Sequence, residues 1–500
     1  MDSKLSETKY NFNPVRLVFV VLLPVVAFVV YVAYLAHAIC VERALYADGA
    51  NFFVELLSKE RIWPIADDSK HIRLFVNALN QFPVVLALES GITSLRTLKI
   101  LFGAGLFLVP VIIYFYCYHL SRRANDYRIL FFSIVSLITC AIPSDIFILN
   151  QAFTSLALAW VLVHYLLLDL KIKSIDWFVF ILISVILFRS HESLILWGGV
   201  LFFGSFCTIV YRDRGRVDNR NLLVYTIGII GLLQAAFVAF WQHTHPVGEQ
   251  TSAFLQLTSL LKPGELWVGN TRISLLMLIA VFLVFVTQYR YGRTFGRWNV
   301  LKNVAYVGLI PVVGLMLLSG AAALNDFSLT NPGREYSYRF LITFGSAGWM
   351  LLAIVFVIFN KPLNDTVRPL STAVLSLGII SASLWQISNN IQWSIFSNAA
   401  AEVLKNSSTL IVDPVEVKRK LISEDHENAY KYRWGWAWPV FGMSLQDSGQ
   451  VENLFRPEGY GEYFNPPKRI PFIMMSGGEI GSEGVGLFRF DGFGELQDLK

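Results

Sequence analysis

The residues of this sequence best suited to chemistry are charged groups set beside long apolar runs. The stretch LYADGANFFVELLSKERIWPIADD, residues 45–68, follows the first such run and carries Asp48, then the doublet Asp67 and Asp68. A carboxylate one or two turns beyond a membrane helix can take a proton from an attacking hydroxyl once burial and neighbours set its pKa. The bland reading of Asp48-Gly49 is a loop turn. Adjacent residues point different ways, so at most one of Asp67 and Asp68 faces a site. His71 and Arg73 follow in the same loop and join the candidate substrate-binding set.

A second group lies in LFRSHESLILWGG, residues 187–199, where Arg189, His191 and Glu192 occupy a short turn between two apolar segments. Charge at membrane depth is costly, so such residues line a cavity and meet a ligand or each other. The planar fork of Arg189 suits a phosphate; the alternative is an Arg189–Glu192 pair that caps the turn. A third group, in LTNPGREYSYRF (329–340), holds Arg334, Tyr336 and Arg339. These are interfacial anchors or a cationic, aromatic port for an anionic head group or sugar. His243 and His245 have H-x-H spacing without an evident third ligand, so no metal site is expected. No cofactor is expected either: the chain has no P-loop, dinucleotide fingerprint, G-x-S-x-G or H-E-x-x-H. WGWAWP (434–439) offers either a carbohydrate platform or packing for the tail.

The elements that must position these groups are apolar. Only 15% of the 500 residues are charged and 55% are hydrophobic, with a mean hydropathy of +0.52. Soluble chains carry about 25% charged residues, so the solvent for this one is the bilayer. The net charge of +5 is therefore no nucleic-acid footprint. Eleven segments read as membrane spans: 17–40, 99–120, 129–143, 152–170, 175–188, 193–210, 221–241, 273–289, 303–323, 340–359 and 370–388. The first is long enough to span and does not read as a cleavable signal. With the N-terminus inside, Lys and Arg in the short inward loops far outnumber those in the short outward loops, which predicts N-in and C-out. Trp177, Trp241 and Trp298 fit an interfacial belt.

The expected fold is thus an all-α polytopic membrane protein of about eleven transmembrane helices, with a small extracytoplasmic α+β segment at its C-terminal end. Residues 1–388 form the membrane domain and 389–500 the extracytoplasmic one. The outer loop 41–98 holds an interfacial helix in LFVNALNQFPVVLALESG, interrupted by Asn77, Asn80, Gln81 and Pro83. Strands are expected near STLIVD and VGLFRFDGF. Cys40, Cys117, Cys140 and Cys207 read as buried small hydrophobes, with a Cys40–Cys140 pairing left open.

An inward N-terminus, a first span and a long outer loop with an early acid resemble the GT-C class of membrane glycosyltransferases. The loop start in that class often reads Asp-Glu and then an aromatic. ADGANFF supplies Asp48 and Phe52 but has Gly49 in place of the second acid, which weakens the case for a divalent metal. Many members carry Arg-x-x-Glu before a glycine-rich span, and Arg189 and Glu192 match it. The resemblance covers roughly 15–390. It implies transfer of a sugar from a polyprenyl-phosphate donor to a lipid-linked or polymeric glycan acceptor at the outer face, in a bacterial inner membrane. Asp48 would be the base, and Arg189, Arg334 and Arg339 would hold the donor phosphate. The competing readings are an O-antigen-type polymerase or ligase, which relies on a large central outer loop, and a lipid or glycan flippase, which would show charged mid-span residues and repeat symmetry.

Overall fold

The computed structural model describes residues 18–59, 62, 71–142, 151–213, 218–245, 271–288, 296–325, 340–359, 367–456 and 487–489. Helix α1 (Leu23–Cys40) continues a π-helical turn at Val18–Leu22, so that Pro24 lies inside one unbroken helical run. Two shorter helices follow, α2 (Asp48–Lys59) and α3 (Leu74–Glu89). Next come α4 (Leu95–Ala124), α5 (Arg128–Ser136, continued by a π-helical turn at Leu137–Ala141), α6 (Gln151–Leu167) and α7 (Ser174–Phe188). The bundle is completed by α8 (Leu194–Cys207), α9 (Asn219–Thr244), α10 (Thr271–Gln288), α11 (Gly296–Asn325), α12 (Ser346–Phe359) and α13 (Val367–Asn406). The tail adds β1 (Ile411–Val412), α14 (Val415–Ser423), α15 (Trp438–Leu445) and β2 (Leu454–Phe455).

All eleven predicted apolar segments fall on helices, but among the described residues seven helices are long and apolar enough to cross a membrane. The segments at 129–143, 152–170 and 175–188 are helices of 10–17 residues, and that at 273–289 is counted as apolar over Arg272–Thr287. One of these, α6, is apolar for a different reason than lipid contact. All its residues are buried, so it is the axis of the bundle and is enclosed by protein on every side. Other helices turn apolar side chains outward, including Val29 on α1, Phe178 on α7, Leu233 on α9 and Ile310 on α11. An outer surface of this kind has a bilayer as its solvent, and the chain is a multi-pass membrane protein. Helices α8 and α9 meet at small residues: a Cβ on Gly198 would lie 2.2 Å from the Gly231 carbonyl oxygen.

Ion pairs collect at two opposite ends, joined by α4, whose 30 residues span roughly 45 Å. Near its start Lys99 meets Glu42 at 3.0 Å. Near its end Arg123 grips Asp176, at the start of α7, through bonds of 2.6 and 3.0 Å. At that second end Arg212 and Arg220 donate to the carbonyls of Leu166, Leu167 and Leu168, which satisfies groups left unpaired where α6 stops. The Glu42 end carries the candidate chemistry.

Two expectations about the C-terminal part change. The predicted span 370–388 and domain boundary at 388 fall inside α13, which runs on to Asn406. The run Ser388, Asn389, Asn390, Gln392 reads as an exit from the membrane, yet all four are buried against other helices. Asn390 donates to the Tyr34 carbonyl at 3.3 Å and Trp393 to that of Val41 at 3.0 Å, so α13 is level with the end of α1 at Trp393. The remaining turns project roughly 20 Å beyond it, and the tail packs on that projection. Within the tail, β1 lies in STLIVD and pairs in parallel with β2, while Arg489 of VGLFRFDGF forms a bridge to Gln450. Cysteines differ as well: Cys117, Cys140 and Cys207 are buried but Cys40 is exposed, and all four are free thiols.

Candidate functional site

Asp48 opens α2, where the unpaired N–H groups of the first turn favour a carboxylate. The turn that delivers it is unusual. Glu42 (φ 54°) and Ala47 (φ 50°) both take left-handed backbone without being glycine, bracketing a short helical turn at Arg43–Leu45. Such conformations persist only where surrounding contacts over-determine them. Here the contacts are aromatic. Arg43 is fully buried, with its guanidinium 4.5 Å from the Tyr46 ring, 4.9 Å from Tyr432 and 5.4 Å from Trp393. Desolvated cation–π contacts are each worth up to about 2 kcal/mol. Tyr46 also meets Trp393, Tyr432 and Trp434 edge-on. Tyr432 donates to Asn389 at 2.8 Å. The tail therefore clamps the turn that carries Asp48. A small aromatic hollow beside it, lined by Ala47, Trp393, Trp434 and Phe441 among others, has room for about one water molecule. Of the WGWAWP aromatics, Trp438 is buried against Phe396, Phe441 and Phe455, and so packs the tail.

The second locus lies at the same end. Glu192 does not pair with Arg189. Its carboxylate accepts two bonds from Arg73 Nε, at 3.0 and 3.1 Å, and lies 3.5 Å from His191 Nε2. Arg73 Nη1 reaches Gln151 Oε1 at 3.5 Å. His191 is oriented by Ser193, whose hydroxyl continues to Thr343, and its ring stacks on Trp197. Burial alone would raise the Glu192 pKa. The charges of Arg73 and His191, with the hydrogen bonds from Arg73 and its own backbone, more than offset this and hold it at about 2. Glu192 is thus a fixed anion rather than a proton shuttle.

Because the folded pKa is depressed, the stabilisation from Glu192 is complete above the ordinary carboxylate range and is lost as pH falls toward 2. Glu192→Gln is expected to melt below wild type in detergent at pH 7, with the gap narrowing as both are taken to pH 3. A gap that stays constant with pH would remove the ion pair as its cause.

Arg189 is the contrast. Its backbone carbonyl accepts from Phe75 N–H at 2.8 Å, which ties the α7–α8 turn to the start of α3. Its guanidinium lies 4.5 Å from the Trp241 ring, which stacks in turn on His245 at 4.2 Å. Among the described residues it has no carboxylate partner, and its Nε is buried without an acceptor. Burial pushes its pKa below the ordinary value, as expected for a cation that neither water nor an anion fully solvates.

The structure thus joins Arg73, His191 and Glu192 into one network and sets Arg189 beside it, while Asp48 belongs to the separate aromatic clamp. His71 lies just ahead of α3 and is half-buried. Asp67, Asp68, Arg334, Tyr336 and Arg339 lie outside the described residues. Sequence reasoning missed Asn77, Asn80 and Gln151, which face one another between α3 and α6. Its available signal was the i, i+4, i+7 spacing of Arg73, Asn77 and Asn80, which puts them on one helical face. Set against known proteins, the chain matches no family model, no curated protein and no solved structure.

Proposed function

We propose that this chain is a membrane glycosyltransferase that moves a sugar from a polyprenyl-phosphate donor to a glycan or lipid-linked acceptor. In this reading eleven helices span the membrane with the N-terminus inside, and the Asp48 end faces outward. The acceptor hydroxyl gives its proton to Asp48 and attacks the anomeric carbon. The bond from that carbon to the phosphate oxygen breaks on the opposite side. The lipid phosphate leaves with the electron pair, inverting the centre. A phosphate leaves well once its charge is stabilised, so fixed cations can stand in for a strong general acid.

The observation that carries this reading is Arg189, a half-buried cation without a carboxylate at the same end of the bundle as Asp48. The other arginines placed above, Arg43, Arg73, Arg123, Arg212 and Arg220, each have an anion, a carbonyl or a cage of rings to meet. A cation kept available in this way suits an anionic ligand at the edge of the apolar layer. Arg189→Lys keeps the charge but loses the planar fork, and Arg189→Gln loses both. Turnover at low concentration of a polyprenyl-phosphate sugar is expected to fall about tenfold for Lys and up to about a hundredfold for Gln. Both variants should retain the wild-type melting temperature. Donor dependence like that of wild type in both would remove Arg189 from the phosphate site.

A further inference from the structure

Between α3 and the first turns of α6 runs a buried polar seam that the mechanism above does not use. Arg73, Asn77 and Asn80 face it from α3, Gln151 and Thr154 from α6. Asn77 is 1% exposed, Asn80 0% and Gln151 5%. The acceptor ends of two of these amides are occupied: Gln151 Oε1 takes a bond from Arg73 and Asn80 Oδ1 takes one from Thr154 at 3.0 Å. A guanidinium only donates, so the Arg73 bond fixes which way the Gln151 amide points. The amide nitrogens of Asn77, Asn80 and Gln151 are all left buried without an acceptor. Buried donors left unmade are costly, and three on one seam are not explained by packing. The backbone of Arg189 is joined to the start of α3 through the Phe75–Arg189 bond, and its guanidinium lies against the Trp241 ring.

We infer that Asn77, Asn80 and Gln151 are the donor set of a phosphate-binding site, with Arg189 supplying its net positive charge. The chemistry is selective for an anion because a sugar hydroxyl both donates and accepts, whereas the orphan atoms of this seam only donate. Phosphate oxygens only accept. The pair Arg73–Glu192 closes the seam at its end and is already neutral, so it positions Gln151 without adding charge. The identity of the phosphate as that of a lipid carrier rests on the reading above; the site itself does not.

The test uses full-length protein in detergent, with inorganic phosphate, a short isoprenyl monophosphate and the matching isoprenyl alcohol as probes in equilibrium binding. Asn77→Leu and Gln151→Met replace orphan donors with apolar groups of similar size. The ligand-free melting temperature is expected to stay level or rise for Asn77→Leu and to fall slightly for Gln151→Met, which also removes an acceptor of Arg73, while affinity for the monophosphate falls about tenfold in each. The alcohol should bind weakly and alike in all. Stable variants that bind the monophosphate as wild type does would overturn the inference; if Arg189→Gln still lost donor use, the glycosyltransferase reading would stand without it. Binding of inorganic phosphate that both variants weaken, with no preference for the lipid form, would support the site and count against the lipid donor. Equal wild-type affinity for alcohol and monophosphate would overturn it. Should either apolar variant fail to fold, Asn77→Asp puts an acceptor in the donor's place at the same size, and retention of monophosphate binding there would equally sink the proposal.

Discussion

Asp48→Asn is expected to lower turnover about 10²–10⁴-fold, the range that a positioned general base supplies. The substitution keeps size and hydrogen-bonding capacity but removes the proton acceptor. Asp48 starts α2 directly after left-handed Ala47, in a turn pinned by the buried Arg43 and its three rings. Its backbone is fixed by the contacts of Arg43 and its rings, so expression and monophosphate binding should persist, with a small drop in melting temperature from the charge lost at the start of α2. The measurement is single-turnover transfer with a saturating lipid-linked donor, run beside Asp67→Asn and Asp68→Asn. Normal transfer by Asp48→Asn with loss in either doublet variant would move the base to the doublet. Normal transfer in all three would leave these carboxylates as loop solvation.

The largest effect on stability is expected at Gly105. A Cβ there would stand 1.9 Å from the Asn80 carbonyl oxygen, closer than at any other glycine described. The obstacle is backbone, so no rotamer change relieves it, and α3 and α4 must separate. Gly105→Ala should therefore cost about 3 kcal/mol or more, the upper part of the overpacking range. Because α3 carries Arg73, Asn77 and Asn80, phosphate binding should fall with it. Gly199, with nothing within 4 Å of its Cβ position, is the control. Gly199→Ala should leave the melting temperature level or raise it slightly through the helical preference of alanine. Equal melting of the two variants would mean that α3 does not dock on α4 as closely as described.

Local information was enough for much of this molecule. Apolar runs placed all eleven long segments on helices, because a chain in lipid must satisfy its backbone within each helix. The same locality located Asp48 just beyond the first of them and put Arg189 and Glu192 in one turn. Hydropathy cannot tell a lipid-facing helix from a protein-enclosed one, since both are apolar. That is why hydropathy marks α6 as an ordinary span and ends α13 where its polar residues begin. Pairing was beyond the sequence altogether. Glu192 takes Arg73, 119 residues away, rather than Arg189 three residues before it. That choice follows from α3 docking on the α7–α8 turn through the Phe75–Arg189 bond, and it is what leaves Arg189 with its charge unspent. Order along the chain is enough to bring these groups to one end of the bundle. Only the packing of α3 and the tail decided which charges are cancelled, because a charge is neutralised by whatever stands within a few ångströms of it, and that depends on how the helices assemble.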